Sequence, residues 1–143
     1  MIVNIKSASL AVGVSAAVGF GLYSLLWAFE NTFARSAVVY HATIFSFFVT
    51  LYYLIPDGFR NHFAMPQLKN LKEDDPKSQK VTLGDIVYYS AITHAGVGYG
   101  DISPLTRESR TLVTIHVILS FMGMANLVLL SSGLDIGKLM NLI

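Results

Sequence analysis

Thr93-His94-Ala95-Gly96-Val97-Gly98-Tyr99-Gly100-Asp101 is the stretch that decides the fold. Glycine occupies every second position from Gly96 to Gly100. Lacking a Cβ, glycine takes φ > 0 freely, whereas a side chain there meets the following carbonyl oxygen. Alternation between left-handed and ordinary residues turns successive carbonyls to one side, which neither a helix nor a strand does. A row of aligned carbonyl oxygens can replace the water around a cation. The glycines therefore serve geometry, and the carbonyls of Gly96, Val97, Gly98 and Tyr99 serve chemistry.

Around this stretch the chain is 53% hydrophobic and 13% charged over 143 residues. Ser7–Phe29, Ser36–Pro56 and Thr111–Gly133 contain no Asp, Glu, Lys or Arg. Each supplies the roughly 20 apolar residues of a bilayer-spanning helix. A soluble core of this size could not bury three such helices. A net charge of +1 without a basic patch speaks against nucleic acid. The absence of cysteine excludes disulfides and thiol chemistry and leaves the compartment open. His41, His62, His94 and His116 are scattered over different elements, and no Ser/His/Asp constellation appears, so neither an enzyme nor a cofactor nor a small-molecule substrate is expected. A nucleotide loop is excluded too, because Gly96, Gly98 and Gly100 lack G-x-G-x-x-G spacing and follow a helix.

The first span, Leu10–Phe29, carries Ala11, Ser15 and Gly19 on one ridge and Gly13, Ala17 and Gly21 beside it. Small residues let helix backbones approach closely in lipid, so this span reads as a retained peripheral helix. The other reading is a secretory or targeting segment with Lys6 as a weak basic start. Signal-peptidase cleavage would leave the new N-terminus outside and reverse the direction in which every later span crosses the membrane. Glu30–Arg35 reads as a polar turn. The second span, Ala37–Ile55, is aromatic, with Tyr52 and Tyr53 expected at headgroup level. Pro56, Asp57 and Gly58 end it, and Asp57–Lys80 is a polar linker.

Thr82 and Asp85 have the spacing of a capping box, with the carboxylate at the positive end of the helix dipole. The helix they open covers 82–93, about 16 Å at 1.5 Å per residue, or half a bilayer. A half-membrane helix followed by a glycine-rich strand is a re-entrant loop, and irregular backbone persists at that depth only beside protein or a water-filled path. The helix C-terminus aims its partial negative charge at the membrane centre, where a dehydrating cation needs it. In the last span, Leu112–Leu130, the stripe His116, Ser120, Gly123, Leu127 presents small and polar residues. Ser120, Gly123 and Leu127 are expected to line an inner cavity, a helix-packing seam being the alternative; Gly123 could also serve as a hinge.

Span, linker, pore helix, glycine strand and span together resemble the two-helix pore-loop potassium channels. Ile55-Pro56-Asp57-Gly58-Phe59-Arg60-Asn61-His62-Phe63, the aromatic pair after Asp85, Thr93-His94 and Ile115-His116 resemble the miniature potassium channels of large algal viruses. The likeness covers about residues 40 to 130. It implies an all-α membrane protein with a pore domain over 36–143: outer helix 37–55, turret 57–80, pore helix 82–93, filter 96–101 and inner helix 111–131. Residues 1–35 form the additional span and loop.

The resemblance further implies a homotetramer in a lipid bilayer, in the plasma membrane or an internal membrane of a host cell. K⁺ would be the permeant ion, held by the carbonyls of Gly96, Val97, Gly98 and Tyr99. Gly100 would complete the filter, Thr93 and His94 would support it, and Asp101 would form its outer mouth, facing outside the cell.

Three features depart from the pattern. The first span is additional. Gly96 stands where a hydroxyl-bearing Thr normally precedes Val-Gly-Tyr-Gly, a position not expected to need φ > 0. Ile92 stands where some cellular channels keep a Glu that pairs with the filter Asp, so Asp101 is expected to lack that partner. Charge also disagrees with the implied orientation. Arg60, Lys69, Lys72, Lys77, Lys80, Arg107 and Arg110 lie on the pore-loop side, against Arg35 and Lys138 on the other. The positive-inside rule would put the filter in the cytosol; the filter is the preferred guide. The alternative function is a non-conducting subunit that modulates another channel by co-assembly, and Gly96 is the feature that favours it.

Overall fold

Long apolar runs free of internal proline carry three long helices. The computed structural model describes residues 5–28, 32–65 and 81–131. Helix α1 spans Ile5–Leu25 and continues into a 3-10 turn, Leu26–Ala28; α2 spans Thr32–Tyr53. Then follow α3 (Phe59–His62), β1 (Phe63–Ala64), α4 (Leu83–His94), β2 (Ser103–Pro104) and α5 (Arg107–Ser131). Ile5–Leu25, Ala34–Tyr53 and Arg107–Val128 are each long and apolar enough to cross a bilayer. Most of the expected turret, 66–80, lies outside the described residues, as do Glu30 and Lys138.

All three long helices start earlier than hydropathy suggests, and for α2 and α5 the reason is local. Arg35 belongs to α2 rather than to a polar turn. Its guanidinium lies 4.8 Å from the Tyr23 ring centroid and 5.2 Å from that of Trp27, and its Nη1 donates to the Trp27 carbonyl at 3.3 Å. Cation–π contact thus accommodates the charge at a helix start. Helix α5 begins at Arg107 because Thr106 and Ser109 cap it reciprocally: Ser109 N–H donates to Thr106 Oγ1 at 3.2 Å and Thr106 N–H to Ser109 Oγ at 3.1 Å.

Helix α1 packs along α2 through the expected ridge, with Ala11, Ser15 and Gly19 buried. A Cβ on Gly19 would sit 2.5 Å from Thr43 Oγ1, so only glycine allows this approach. The neighbouring ridge faces away, since a Cβ on Gly13 or Gly21 would meet nothing within 4 Å.

The core forms around Tyr52. Its ring contacts those of Phe48, Phe59, Phe63, Tyr89 and His116, and Phe59 stacks on Phe63 at 4.1 Å. Contrary to expectation, Tyr52 is fully buried, whereas Tyr53 stays 61% exposed. The turn explains this: Asp57 (φ 62°) and Gly58 (φ 83°) are left-handed and fold Phe59 and Phe63 back onto the helix they follow.

The same turn fixes the chain leaving the glycine strand. β1 pairs antiparallel with β2, Phe63 opposite Pro104 and Ala64 opposite Ser103. His62 bridges the Pro56 carbonyl and Thr106 Oγ1, both at 2.9 Å.

Candidate functional site

The capping box forms as expected: Asp85 N–H donates to Thr82 Oγ1 at 3.2 Å and Thr82 N–H donates to Asp85 Oδ2 at 2.7 Å. Helix α4 therefore has a defined start, and its other end feeds the glycine strand. Ala95 caps it in the right-handed region, its N–H reaching the Ala91 carbonyl at 3.0 Å. Gly96 N–H donates to the Thr93 carbonyl at 3.1 Å, while the N–H groups of Val97 and Gly98 both reach the Ile92 carbonyl, at 2.9 and 3.3 Å. Orphan carbonyls of the helix end thus anchor the first residues of the strand. Thr93 is buried at this junction.

Gly96, Gly98 and Gly100 have φ of 70°, 52° and 80°. The alternation predicted for Gly98 and Gly100 is present, and it extends one residue further than expected, because Gly96 is also left-handed. Between the glycines, the side chains of Val97 and Tyr99 are 50% and 71% exposed on the protomer.

In place of the Glu missing at Ile92, Asp101 has another partner on the pore helix. Tyr88, one turn before Ile92, donates its hydroxyl to Asp101 Oδ2 at 2.7 Å, and Ile102 N–H donates to Oδ1 at 3.0 Å.

The stripe on α5 is a helix seam. Ser120 is 1% exposed and His116 0%. A Cβ on Gly123 would run into the Tyr40 ring and lie 2.9 Å from His41 on α2. Leu127 shares a groove with Ala37, Val38, Ala42 and Phe45 of α2. Gly123 and Leu127 therefore pack toward α2, Ser120 meets His94 of α4 at 2.9 Å, and Gly123 is a close-packing position. Tyr40 locks the crossing by donating to the Leu119 carbonyl at 2.8 Å. Phe121 of α5 approaches the inner end of the glycine strand, its Cζ 3.4 Å from where a Gly96 Cβ would stand.

Three of the four histidines, far apart in sequence, converge behind α4. His41 Nδ1 lies 2.9 Å from His94 Nε2, and His94 Nδ1 lies 3.2 Å from His116 Nε2. Tyr52 OH is 3.2 Å from His116 Nδ1, and Phe48 stacks on the His116 ring at 4.0 Å. The imidazoles are strung in a row, and among the described residues no group of His, Asp or Glu is arranged to hold a metal ion. Their sequence spacing gave no hint of this, because each comes from a different helix.

Three apolar helices, a capped half-length helix and a strand of alternating left-handed glycines define a pore-loop membrane channel. The chain belongs to the ion channel family, whose pattern matches residues 10–133; it is a multi-pass membrane protein and a channel, not an enzyme. It is similar to the potassium channel protein kcv of Paramecium bursaria Chlorella virus 1, with 30% identity over 81 residues, 57% of this chain and 77% of that relative. No solved structure matches the chain.

Proposed function

We propose that this chain conducts K⁺ passively and selectively through a pore on the axis of a homotetramer. Gly96, Val97, Gly98 and Tyr99 contribute carbonyl oxygens to stacked ion sites, with Gly100 turning the strand outward. Left-handed φ at Gly96, Gly98 and Gly100 supports this reading above all else, since that alternation aligns carbonyls. Four copies then supply rings of oxygens in place of the hydration shell. The exposed Val97 and Tyr99 side chains would pack against neighbouring subunits.

The C-terminus of α4 points its partial negative charge, roughly half an elementary charge, at the foot of the filter. Thr93 and His94 support that foot, and Asp101 supplies a ring of carboxylates that concentrates cations at the outer mouth. Residues 36–143 form the pore domain, 1–35 an accessory span, and the outer mouth faces outside the cell. K⁺ acts as the permeant ion, with no cofactor.

A second reading, a non-conducting subunit that co-assembles with another channel, draws on Gly96, which removes four hydroxyls from the innermost site. Recording from the purified chain alone in planar bilayers separates the two: unitary K⁺ currents support the first, and silence from assembled tetramers supports the second.

A further inference from the structure

We propose that the turn joining α1 to α2 binds the phosphate of an anionic phospholipid, with Arg35 as the donor and Tyr23 and Trp27 as its walls. Helix α1 is 21 residues long, roughly 30 Å at 1.5 Å per residue, the thickness of a hydrocarbon core. It has therefore crossed the bilayer by the time the chain turns. Tyr23 stands in its last turn, Trp27 just beyond its end, and Arg35 in the first turn of α2. The three side chains meet at one headgroup layer, where Trp and Tyr gather in membrane proteins.

Arg35 is a cation in the wrong place for the helix that carries it. The first turn of α2 already presents the positive end of a dipole, roughly half an elementary charge, and a guanidinium does not shed its proton. Neither α1 nor α2 contains Asp or Glu. The carboxylates among the described residues, Asp57, Asp85, Asp101 and Glu108, all come after the far end of α2 in the chain; Glu30 lies outside the described residues. Two rings stand in for a counter-ion. Their centroids are 5.9 Å apart with planes at 61°, and the guanidinium packs into that corner, 4.8 Å from Tyr23 and 5.2 Å from Trp27. Ring faces attract a cation but do not neutralise it.

Hydrogen bonding leaves the guanidinium short of acceptors as well. Nη1 donates to the Trp27 carbonyl at 3.3 Å, long for an N–H···O bond. Nε is buried and has no acceptor among the described residues. A planar guanidinium pairs bidentately with phosphate oxygens, and a phosphate here answers the side-chain charge and the helix dipole together. The surroundings select a lipid over free phosphate. Leu25 and Trp27 are 73% and 67% exposed beside the site, an apolar surface for the glycerol and upper acyl carbons of the same molecule.

Trp27 is the chain's one tryptophan, so its fluorescence reports on this turn alone. The full-length protein is placed in phosphatidylcholine liposomes with a minor share of phosphatidylglycerol, and one lipid at a time is brominated on its acyl chains to quench Trp27. Quenching should show phosphatidylglycerol enriched about fivefold over its bulk share. Arg35→Gln should abolish the enrichment, and Arg35→Lys, a cation without the planar fork, should keep only part of it. Lys6→Gln, at the other end of α1, should keep all of it. Quenching in proportion to bulk share in the wild type, full enrichment in either Arg35 variant, or its loss in Lys6→Gln would overturn the proposal. So would displacement of the lipid by inorganic phosphate, which makes the site one for free anions. Enrichment seen only in Glu30→Gln would overturn it too, by making that carboxylate the partner of Arg35. No current is read, so the outcome is independent of the pore reading.

Discussion

Tyr88 on the pore helix and Asp101 at the outer end of the glycine strand are joined by a 2.7 Å hydrogen bond, the phenol donating to Oδ2. The bond ties the strand's outer end to the same helix that anchors its inner end through the Ile92 and Thr93 carbonyls. The strand is thus held at both ends by α4.

Tyr88→Phe removes the hydroxyl and leaves the ring. Open times should shorten several-fold, because the outer end is freed while the inner end stays anchored. Adding Asp101→Asn should cause no loss beyond the worse single variant, since both break one contact. Single-channel dwell times provide the check; additive losses would show that the two residues act separately. Asp101→Asn alone should also reduce current more at low ionic strength than at high, where screening already removes long-range attraction.

Gly98→Ala and Gly100→Ala place a Cβ on residues at φ 52° and 80°. The cost is about 1–2 kcal/mol per subunit, or about 4–8 kcal/mol over four. Neither Cβ would meet another atom within 4 Å, so the effect should be one of backbone geometry alone. Currents should vanish although tetramers assemble; normal K⁺ current from Gly100→Ala tetramers would contradict the filter assignment.

Gly96→Thr would restore the hydroxyl usual at this position, and four added hydroxyl oxygens by themselves would strengthen internal Ba²⁺ block. The left-handed φ of 70° changes that expectation. A β-branched residue at positive φ is a steric outlier, and its Cβ would already be in contact with Phe121 at 3.4 Å, with its further methyl still to be placed. Both Gly96→Ala and Gly96→Thr should therefore lose most conduction. A Gly96→Thr channel that conducts with tighter Ba²⁺ block would show that this residue does not need the left-handed region.

Gly19→Leu should displace α1 from Thr43 and lower the yield of folded protein. Deleting residues 1–30 should nevertheless leave a selective pore, because the α2–α5 contacts and the Tyr52 core do not use α1. Recordings from the truncated chain check this, and lost selectivity would make α1 part of the pore.

What was legible in the sequence was encoded locally. The three spans follow from hydropathy summed over some 20 residues. The start of α4 follows from Thr82 and Asp85, three positions apart, and the strand from glycines that need φ > 0. What was missed depends on which helix faces which. The stripe from His116 to Leu127 has the composition of either a cavity wall or a seam, and only the position of Tyr40 and His41 makes it a seam. Tyr52 has the composition of an interfacial anchor until the Asp57-Gly58 turn folds Phe59 and Phe63 over it. The histidines met the same limit, because His41, His94 and His116 become neighbours only once α2, α4 and α5 are packed together.

The decisive observation is the reversal potential of the purified chain in planar bilayers under opposed K⁺ and Na⁺ gradients. A K⁺-selective pore reverses near the K⁺ equilibrium potential and shifts with K⁺ concentration alone. Reversal midway between the two ions, or tetramers that pass no current, would contradict the filter that Gly96 to Gly100 are taken to form.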